Sequence, residues 1–350
     1  MRILVTGCSG YIGSQLVPRL RALHHEVIGI DRAPWPGGGE LDRFICADLR
    51  DTHRWDGEMD GVEYVCHLAA AKGDWGISDA GYRGDNVDAT RSLLQVGHAR
   101  GIGKWLFYST VSVLGPSDAP KEEDAPFAPT HAYGRTKAEA EKLFQRFVAE
   151  DHRRQVTVLR PSVVYGPDNP DNTNIFRLIE AIHRGRFLMI GDGETIKTTS
   201  YIDNVIAATL FLLDGAETGL RVYHYIDEPR LPTGELVGSV YRLLHKRRPR
   251  WSAPLSVVKP VAWLGDIAGA VAHVDFPITR ARIEKFCTAT DFAARAIRAR
   301  GFEQPVDNEA ALQATVAWYL ERCAGPRSAW PPSRRSTGTT KRIINIEERQ

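Results

Sequence analysis

The chain has 350 residues and a nearly balanced charge, with 45 Lys or Arg against 43 Asp or Glu. Its 43% hydrophobic and 25% charged residues are typical of a globular protein, which excludes global disorder and a chain-wide nucleic-acid surface. No uninterrupted apolar run reaches the ~18 residues that a membrane-spanning helix needs. The apolar run at the N-terminus ends at Val5, too soon for a signal peptide.

The five cysteines are scattered, and no two of them have a CxxC spacing. An odd number without that spacing indicates reduced thiols and gives no sign of a disulfide framework or a zinc site. We therefore expect a cytoplasmic protein with no metal and no integral membrane segment.

The first half of the chain alternates short β-branched runs with segments of helix length. The predicted strands are Arg2–Val5, Val27–Ile30, Val62–Cys66, Lys104–Tyr108 and Val156–Leu159. After the first strand, Ile12, Leu16, Leu20 and Leu23 recur at the spacing of one helix face. Strands separated by helices predict right-handed βαβ units and a doubly wound α/β fold with a parallel sheet.

This alternation loosens after about residue 166, where glycine and proline mark loops. A helical pattern of Ile175, Leu178, Ile179 and Ile182 follows. We expect a cofactor domain and a smaller, interleaved substrate lobe. The cofactor domain would comprise residues 1–166 and about 196–228, and the lobe residues 167–195 and 229–323.

Residues 324–350 lack periodicity and are predicted to form a disordered basic tail. They hold six Lys or Arg and two Asp or Glu, so residues 1–323 carry a net charge of −2 instead of the +2 of the whole chain. Bulk charge therefore indicates little about function.

A glycine-rich turn joins the first strand to the first helix, with Gly7, Gly10 and Gly13 in a G-x-x-G-x-x-G spacing. Such glycines let backbone N–H groups and a helix N-terminus approach a pyrophosphate. Asp31 closes the second strand, where a carboxylate can accept both ribose hydroxyls and repel a 2′-phosphate. This favours NAD, although Arg32 keeps NADP open. A helix or turn cap is the alternative role for Asp31.

Tyr133 and Lys137 are one helical turn apart, so both side chains lie on the same face. An ammonium close to a phenol favours the phenolate and lowers the pKa of the tyrosine. Such a tyrosine can remove an alcohol proton while a hydride leaves the carbon. The alternative is an unremarkable surface pair, since this spacing also arises by chance.

Ordered motifs along residues 1 to about 320 resemble the extended short-chain dehydrogenase/reductase family, in its NAD-dependent epimerase/dehydratase group. The motifs are Thr6–Gly13, Asp48–Leu49, His67–Ala71, Asn86–Val87, Tyr108–Gly115, Tyr133–Lys137 and Arg160–Pro167. The resemblance implies a Rossmann-type fold, NAD as cofactor and chemistry at an alcohol carbon.

The resemblance also implies a role for each matching residue. Thr110 would hydrogen-bond the reacting hydroxyl, Tyr133 would be the base, and Lys137 would activate it and bind the ribose. Tyr133 and Lys137 also belong to the implied cofactor site. Its other residues are Gly7, Gly10, Tyr11, Ile12, Gly13, Asp31, Arg32, Asp48, Leu49, Leu68, Ala69, Ala70, Lys72, Asn86, Ser109, Pro161 and Val163. Ser112, Asn172 and Lys197 would contact the substrate. His67 ends a strand and is expected to be structural.

Family members that dehydrate sugars resemble one another in having acidic residues directly after the Ser/Thr. Here those positions are Val111 and Ser112, so dehydration by that route lacks its acid and base. The Ser112 hydroxyl resembles the epimerase version. The resemblance therefore implies an NAD-dependent epimerase that acts on a nucleotide-linked sugar.

Two alternatives remain open. Lys197 stands where nucleotide-sugar enzymes often have an arginine, and lysine lacks the bidentate fork. The segment Tyr201–Asn204 and the apolar stretch Pro254–Val274 are similar to the 3β-hydroxysteroid dehydrogenase branch, which suggests an NAD(P)-dependent dehydrogenase or reductase of a hydrophobic alcohol. A non-catalytic NAD sensor is the third possibility, but such a protein has no need of the intact catalytic set.

The expected partner is a small molecule, a sugar nucleotide, and not a nucleic acid. Family analogy also implies a homodimer formed by helices near 88–100 and 134–149. Five Arg or Lys in Arg242–Arg250 could meet phosphate or acidic lipid, but a solvated helix end is the favoured interpretation. Likewise, Pro254–Val274 is interpreted as a packed helix in preference to a lipid-facing one.

Overall fold

A computed structural model describes residues 1–324, except 38, 40, 73–75, 171–172, 216, 255, 257, 259 and 261–287. The strands are β1 Arg2–Thr6, β2 Glu26–Asp31, β3 Arg43–Cys46, β4 Tyr64–His67, β5 Lys104–Tyr108, β6 Ser117–Lys121, β7 Gln155–Pro161, β8 Val163–Tyr165, β9 Thr199–Tyr201, β10 Gly219–Tyr225 and β11 Thr290–Phe292. The helices are α1 Tyr11–Ala22, α2 Asp79–Arg83, α3 Ala89–Ala99, α4 Ala132–Glu150, α5 Asn174–His183, α6 Ile202–Asp214, α7 Thr233–Leu243, α8 Arg295–Ala299 and α9 Asn308–Ala324. The predicted tail from residue 325 onward, Asn172 and most of Pro254–Val274 lie outside the described residues.

Seven strands form one sheet in the order β3-β2-β1-β4-β5-β7-β10, and every neighbouring pair is parallel. This confirms the predicted doubly wound α/β fold. The strand order reverses between β1 and β4. In such sheets the crevice beyond the carboxyl ends of the strands at the reversal is where ligands bind.

All five predicted strands are present, most of them extended by one or two residues at their ends. The pattern did not predict β3 and β10. The side chains of β3 are half-exposed or exposed, and β10 carries Arg221 and His224 among its apolar residues. The prediction that Leu23 lies on the buried face of α1 is wrong. Leu23 follows the end of the helix, is 51% exposed, and precedes His24, whose φ of +61° turns the chain.

Aromatic packing fixes α4 against the sheet. Phe107 at the end of β5 stacks on Phe144 of α4, with ring centroids 4.7 Å apart. Trp105 contacts the edges of both Phe144 and Phe147, at 5.9 and 5.6 Å. Edge and offset ring contacts of this kind stabilise a pair beyond its buried area. The N-terminal half of α4 is thereby held at the crevice.

Two short parallel sheets extend the fold, one from β8 and β9 and one from β6 and β11. A bridge between Lys197 and Thr290 places the segment before β9 beside β11. Within the described ranges, no helix combines the length and the apolar character needed to cross a bilayer.

Candidate active site

The glycine turn forms an open cradle at the start of α1. A side chain at Gly7, where φ is +72°, would lie 2.6 Å from the Ala69 nitrogen, and one at Gly13 would lie 2.3 Å from the Gly7 oxygen. These two glycines therefore serve close packing. A Cβ at Gly10 would approach only the Gly7 oxygen, at 3.2 Å, and would otherwise fill open space. No side chain caps the first turn of α1 in the described structure, so its N–H groups suit a pyrophosphate.

Asp31 ties the end of β2 to this turn. One carboxylate oxygen accepts a hydrogen bond from the Ser9 N–H at 3.0 Å and the other from the Ala33 N–H at 2.9 Å. An ionised carboxylate offers about four acceptor positions. Asp31 thus acts as a turn cap and keeps acceptor capacity for ribose hydroxyls.

Arginine–aspartate ion pairs lie at Asp48, which belongs to the implied cofactor site. Arg32 donates to both oxygens of Asp85, at 3.0 and 2.7 Å. Arg50 donates to both oxygens of Asp48, at 2.9 and 2.6 Å, and these hydrogen bonds lower the pKa of Asp48 to about 2. Because a carboxylate already engages Arg32, this guanidinium is poorly placed to select the extra phosphate of NADP.

A buried polar chain runs from the glycine turn toward α3. His67 lies with Nδ1 2.7 Å from the Thr6 hydroxyl and Nε2 2.9 Å from the Thr90 hydroxyl. Since the Thr90 hydroxyl donates to the Asn86 carbonyl at 2.7 Å, it accepts from Nε2–H, and Nδ1 in turn accepts from Thr6. Burial lowers the pKa of His67 to about 3, so it is neutral. These contacts give it the structural role that the sequence favours.

Asn86 joins this chain to α4 from a π-helical turn at Gly84–Asp88. Its Oδ1 accepts the Ala71 N–H at 2.7 Å, and its Nδ2 donates to the Ala71 carbonyl and to the Thr136 hydroxyl at 3.2 and 3.0 Å. Single π-helical turns are frequent at functional sites. Here the turn fixes the position of α4 next to Lys137.

Thr110 lies in the turn that follows β5, close to the start of α4. The Thr110 hydroxyl accepts the Ser112 N–H and donates to the Ser112 hydroxyl, both at 3.2 Å. Thr110 is 7% exposed, whereas Ser112 is exposed. A side chain at Gly134 would lie 2.6 Å from the Ser112 carbonyl oxygen. Gly134, the residue after Tyr133, therefore allows α4 to approach this turn.

Lys137 is buried, 1% exposed, with its Nζ 4.0 Å from the centre of the Phe107 ring. Burial lowers the pKa of Lys137 to about 7, against an opposing effect of Glu141. Burial and, to a smaller extent, Tyr82 raise the pKa of Tyr133 above its ordinary value. The expected lowering of that pKa is therefore wrong for this geometry, because desolvation outweighs any help from an ammonium that packs on Phe107.

A buried ion pair that the sequence analysis missed lies beneath Lys137. Arg160 donates to both oxygens of Glu141, at 2.9 and 2.6 Å, and both side chains are at most 4% exposed. The Ser109 hydroxyl, assigned above to the cofactor, also donates to Glu141. Glu141 continues the face of Tyr133 and Lys137 by one more turn, and that spacing is the signal that could have revealed it.

The remaining predicted residues lie around the crevice. Leu68, Ala69 and Ala70 follow β4 and are half-buried, Leu49 is buried, and Lys72 is exposed. Pro161 and Val163 flank Ser162, whose N–H donates to the Ser200 hydroxyl at 3.1 Å. The Lys197 ammonium donates to the Thr288 carbonyl at 2.6 Å. Nowhere in the described parts do three His, Cys, Asp or Glu cluster to hold a metal.

The buried ammonium of Lys137 has a testable cost in stability. Its pKa of about 7 in the folded protein lies below the ordinary value of 10.5. Burying the protonated amine therefore lowers the free energy of unfolding. This penalty has its full size below about pH 7 and decreases as the pH rises from about 7 toward 10.5. We expect Lys137→Met to be more stable than wild type by roughly 1–2 kcal/mol at about pH 6.5, with the difference shrinking toward about pH 10.

Urea unfolding of the cofactor-free proteins at the two pH values measures this difference. Lys142→Met, at an exposed position of the same helix, is the matched control and should show no such pH-dependent gain. A Lys137→Met variant that is less stable at the lower pH would refute the assignment.

Comparison with known proteins identifies the family. The model of the NAD dependent epimerase/dehydratase family matches residues 3–225. An N-acetyl-alpha-D-glucosaminyl-diphospho-ditrans,octacis-undecaprenol 4-epimerase of Escherichia coli O157:H7 is 27% identical, over 90% of this chain and 94% of its own. A 2-alkyl-3-oxoalkanoate reductase of Stenotrophomonas maltophilia (strain K279a) is 32% identical, over 82% and 90%. The structure of MoeE5 in complex with UDP-glucose and NAD has a TM-score of 0.73 and 26% identity, over 93% of this chain and 100% of that one. The chain therefore belongs to the NAD-dependent epimerase/dehydratase family of enzymes.

Proposed function

We propose that the protein is an NAD-dependent epimerase that inverts one alcohol carbon of a sugar. The observation that carries the proposal is the close approach of α4 at Gly134, the residue after Tyr133, to the Thr110–Ser112 turn, which carries two hydroxyls and no carboxyl group. This arrangement can exchange a hydroxyl proton but has no carboxyl group to expel water. The open cradle at Gly10 and the acceptor capacity of Asp31 fit NAD.

In this proposal Tyr133 takes the hydroxyl proton, and Thr110 orients the hydroxyl. NAD held at the Gly10 cradle and by Asp31 would supply a hydride acceptor for that carbon and a hydride donor toward the opposite face of the resulting ketone. Tyr133 then returns its proton to the oxygen of that carbon. Because burial raises the pKa of Tyr133, the Lys137 ammonium has to turn from the Phe107 ring toward the phenol to stabilise the phenolate.

The substrate class that we propose is a sugar attached to a diphosphate, as in a nucleotide-linked sugar. Support comes from two similar proteins: the name of the Escherichia coli relative includes a sugar linked to a diphosphate, and MoeE5 was solved with UDP-glucose, which is also a sugar diphosphate. Lys197 supplies a cation at the edge of β9 that suits one phosphate. To bind a phosphate, the Lys197 ammonium would have to give up its hydrogen bond to the Thr288 carbonyl.

A substrate screen tests this proposal. We expect the purified protein to convert a UDP-sugar or a lipid-diphosphate sugar into its epimer, detected by NMR, with no net change in NADH absorbance. Free NAD should not be consumed in proportion to the product. Net NADH formation with a keto product would contradict epimerisation.

A reductase is the second candidate, favoured by the 32% identity to the 2-alkyl-3-oxoalkanoate reductase. Lysine at position 197, in place of a bidentate arginine, is consistent with a substrate that lacks a diphosphate. This candidate predicts that one NADH is consumed for each β-keto acid reduced, which the same absorbance measurement detects.

We also propose that residues 1–166 and about 196–228 form the cofactor domain and that residues 167–195 and 229–323 form the substrate lobe. Support comes from β10, which belongs to the central sheet. The homodimer through α3 and α4 stays a prediction.

A further inference from the structure

Two separate segments meet on one surface beyond α5 and α7. The Ala253 N–H donates to the Met189 carbonyl at 2.8 Å, and the Gly191 N–H donates to the Ala253 carbonyl at 3.1 Å. This isolated parallel bridge pairs Ile190 with Ala253, and Leu188 and Trp251 each precede the bridged residue of their own segment by two positions. Leu188 is 41% exposed and Trp251 is 67% exposed, so each segment presents one large apolar side chain to water close to the bridge.

Cations lie close to these two side chains along the chain. The segments 184–191 and 246–251 contain six Lys or Arg and no Asp or Glu. Arg184 pairs with Glu180, and Arg248 donates to the Gly234 carbonyl. Among the described residues, no carboxylate pairs with the others, which are Arg186, Lys246, Arg247 and Arg250, and all four are exposed. We call Arg186, Leu188, Lys246, Arg247, Arg250 and Trp251 the basic–aromatic patch.

A solvated helix end, the interpretation that the sequence favours, accounts for the charges alone. It gives no reason why Trp251 and Leu188, in the same two segments, are exposed. Tryptophan favours the boundary between headgroups and hydrocarbon in a bilayer, and clustered Lys or Arg bind the phosphates of anionic lipids. The two features together are complementary to a bilayer surface, whereas phosphate alone would need only the cations.

We propose that the basic–aromatic patch docks the protein on an anionic lipid bilayer, with Trp251 and Leu188 at the headgroup boundary and the cations on lipid phosphates. The patch is adjacent to the segment that leads from Gly191 to Lys197. Docking here would bring the proposed substrate side of the enzyme near the membrane. The proposal depends on this surface and holds whether or not the epimerase assignment is correct.

Co-sedimentation of the full chain with vesicles tests the proposal. We expect binding to mixed phosphatidylcholine and phosphatidylglycerol vesicles, little binding to pure phosphatidylcholine, and weakening by salt. Arg247→Glu with Arg250→Glu should weaken binding at least tenfold, and Trp251→Ala several-fold. Their thermal unfolding and NAD binding should match wild type, since neither change touches the core or the site.

The matched control is Arg334→Glu with Arg335→Glu, which makes the same charge change in the basic C-terminal segment. It should leave vesicle binding unchanged. Binding that is lost in this control and retained in the patch variants would overturn the proposal. So would failure of the wild type to bind anionic vesicles, or equally tight binding to RNA that the patch variants abolish while vesicle binding persists.

Discussion

Tyr133→Phe is expected to lower kcat by roughly 10²–10⁴-fold, the usual contribution of general acid–base catalysis. The change removes the only group proposed to exchange the hydroxyl proton and keeps the ring in place. No side chain in the described structure hydrogen-bonds the Tyr133 hydroxyl, so its loss should leave the fold intact. The measurements are turnover by NMR, bound NAD and the Tm.

Tyr241→Phe is the matched control, because it removes a phenol hydroxyl from α7, outside the site. It should keep wild-type turnover. If Tyr133→Phe turned over at the wild-type rate, another group would have to be the base. If it lost both NAD and stability, the residue would be structural.

Glu141→Ala should lower the free energy of unfolding by about 3–5 kcal/mol, the usual effect of breaking a buried ion pair. The change leaves the Arg160 guanidinium buried without its two carboxylate contacts and removes the acceptor of the Ser109 hydroxyl. Substituting both partners, Glu141→Met with Arg160→Met, should recover much of the loss because no uncompensated charge stays buried. Urea unfolding measures all three proteins.

Glu139→Ala provides the control on the same helix. Glu139 pairs with Arg83 at 2.6 Å, but both side chains are largely exposed, at 42% and 54%. Such pairs contribute about 0–1 kcal/mol. Equal losses from Glu139→Ala and Glu141→Ala, or no recovery in the double variant, would show that burial of the Glu141 pair does not matter.

Local patterns predicted the central sheet because parallel strands buried on both faces are continuous apolar runs. The strand β1, with Ile3, Leu4 and Val5 fully buried, is the clearest case. The edge strand β3 is half-exposed and β10 carries polar residues, so neither stands out from its surroundings. The helix pattern failed at Leu23 because periodicity does not show where a helix ends.

The candidate site divides in the same way. The glycine turn after β1 and the spacing of Tyr133 and Lys137 in α4 are local features, and the structure contains both. The pairs Glu141–Arg160 and Thr6–His67 join residues 19 and 61 positions apart, which no local pattern reports. The predicted lowering of the pKa of Tyr133 is wrong for a related reason. That pKa depends on how deeply the phenol is buried, which the spacing of residues in the sequence does not show.

In the proposed reaction a hydride leaves one carbon and returns to the same carbon, and isotope labelling can follow that hydride. The sugar diphosphate found in the screen would be prepared with deuterium on the carbon whose configuration changes. In ordinary water we expect an epimer that retains the deuterium, with no net formation of NADH. Loss of the deuterium to water, or accumulation of NADH with a ketone product, would contradict it.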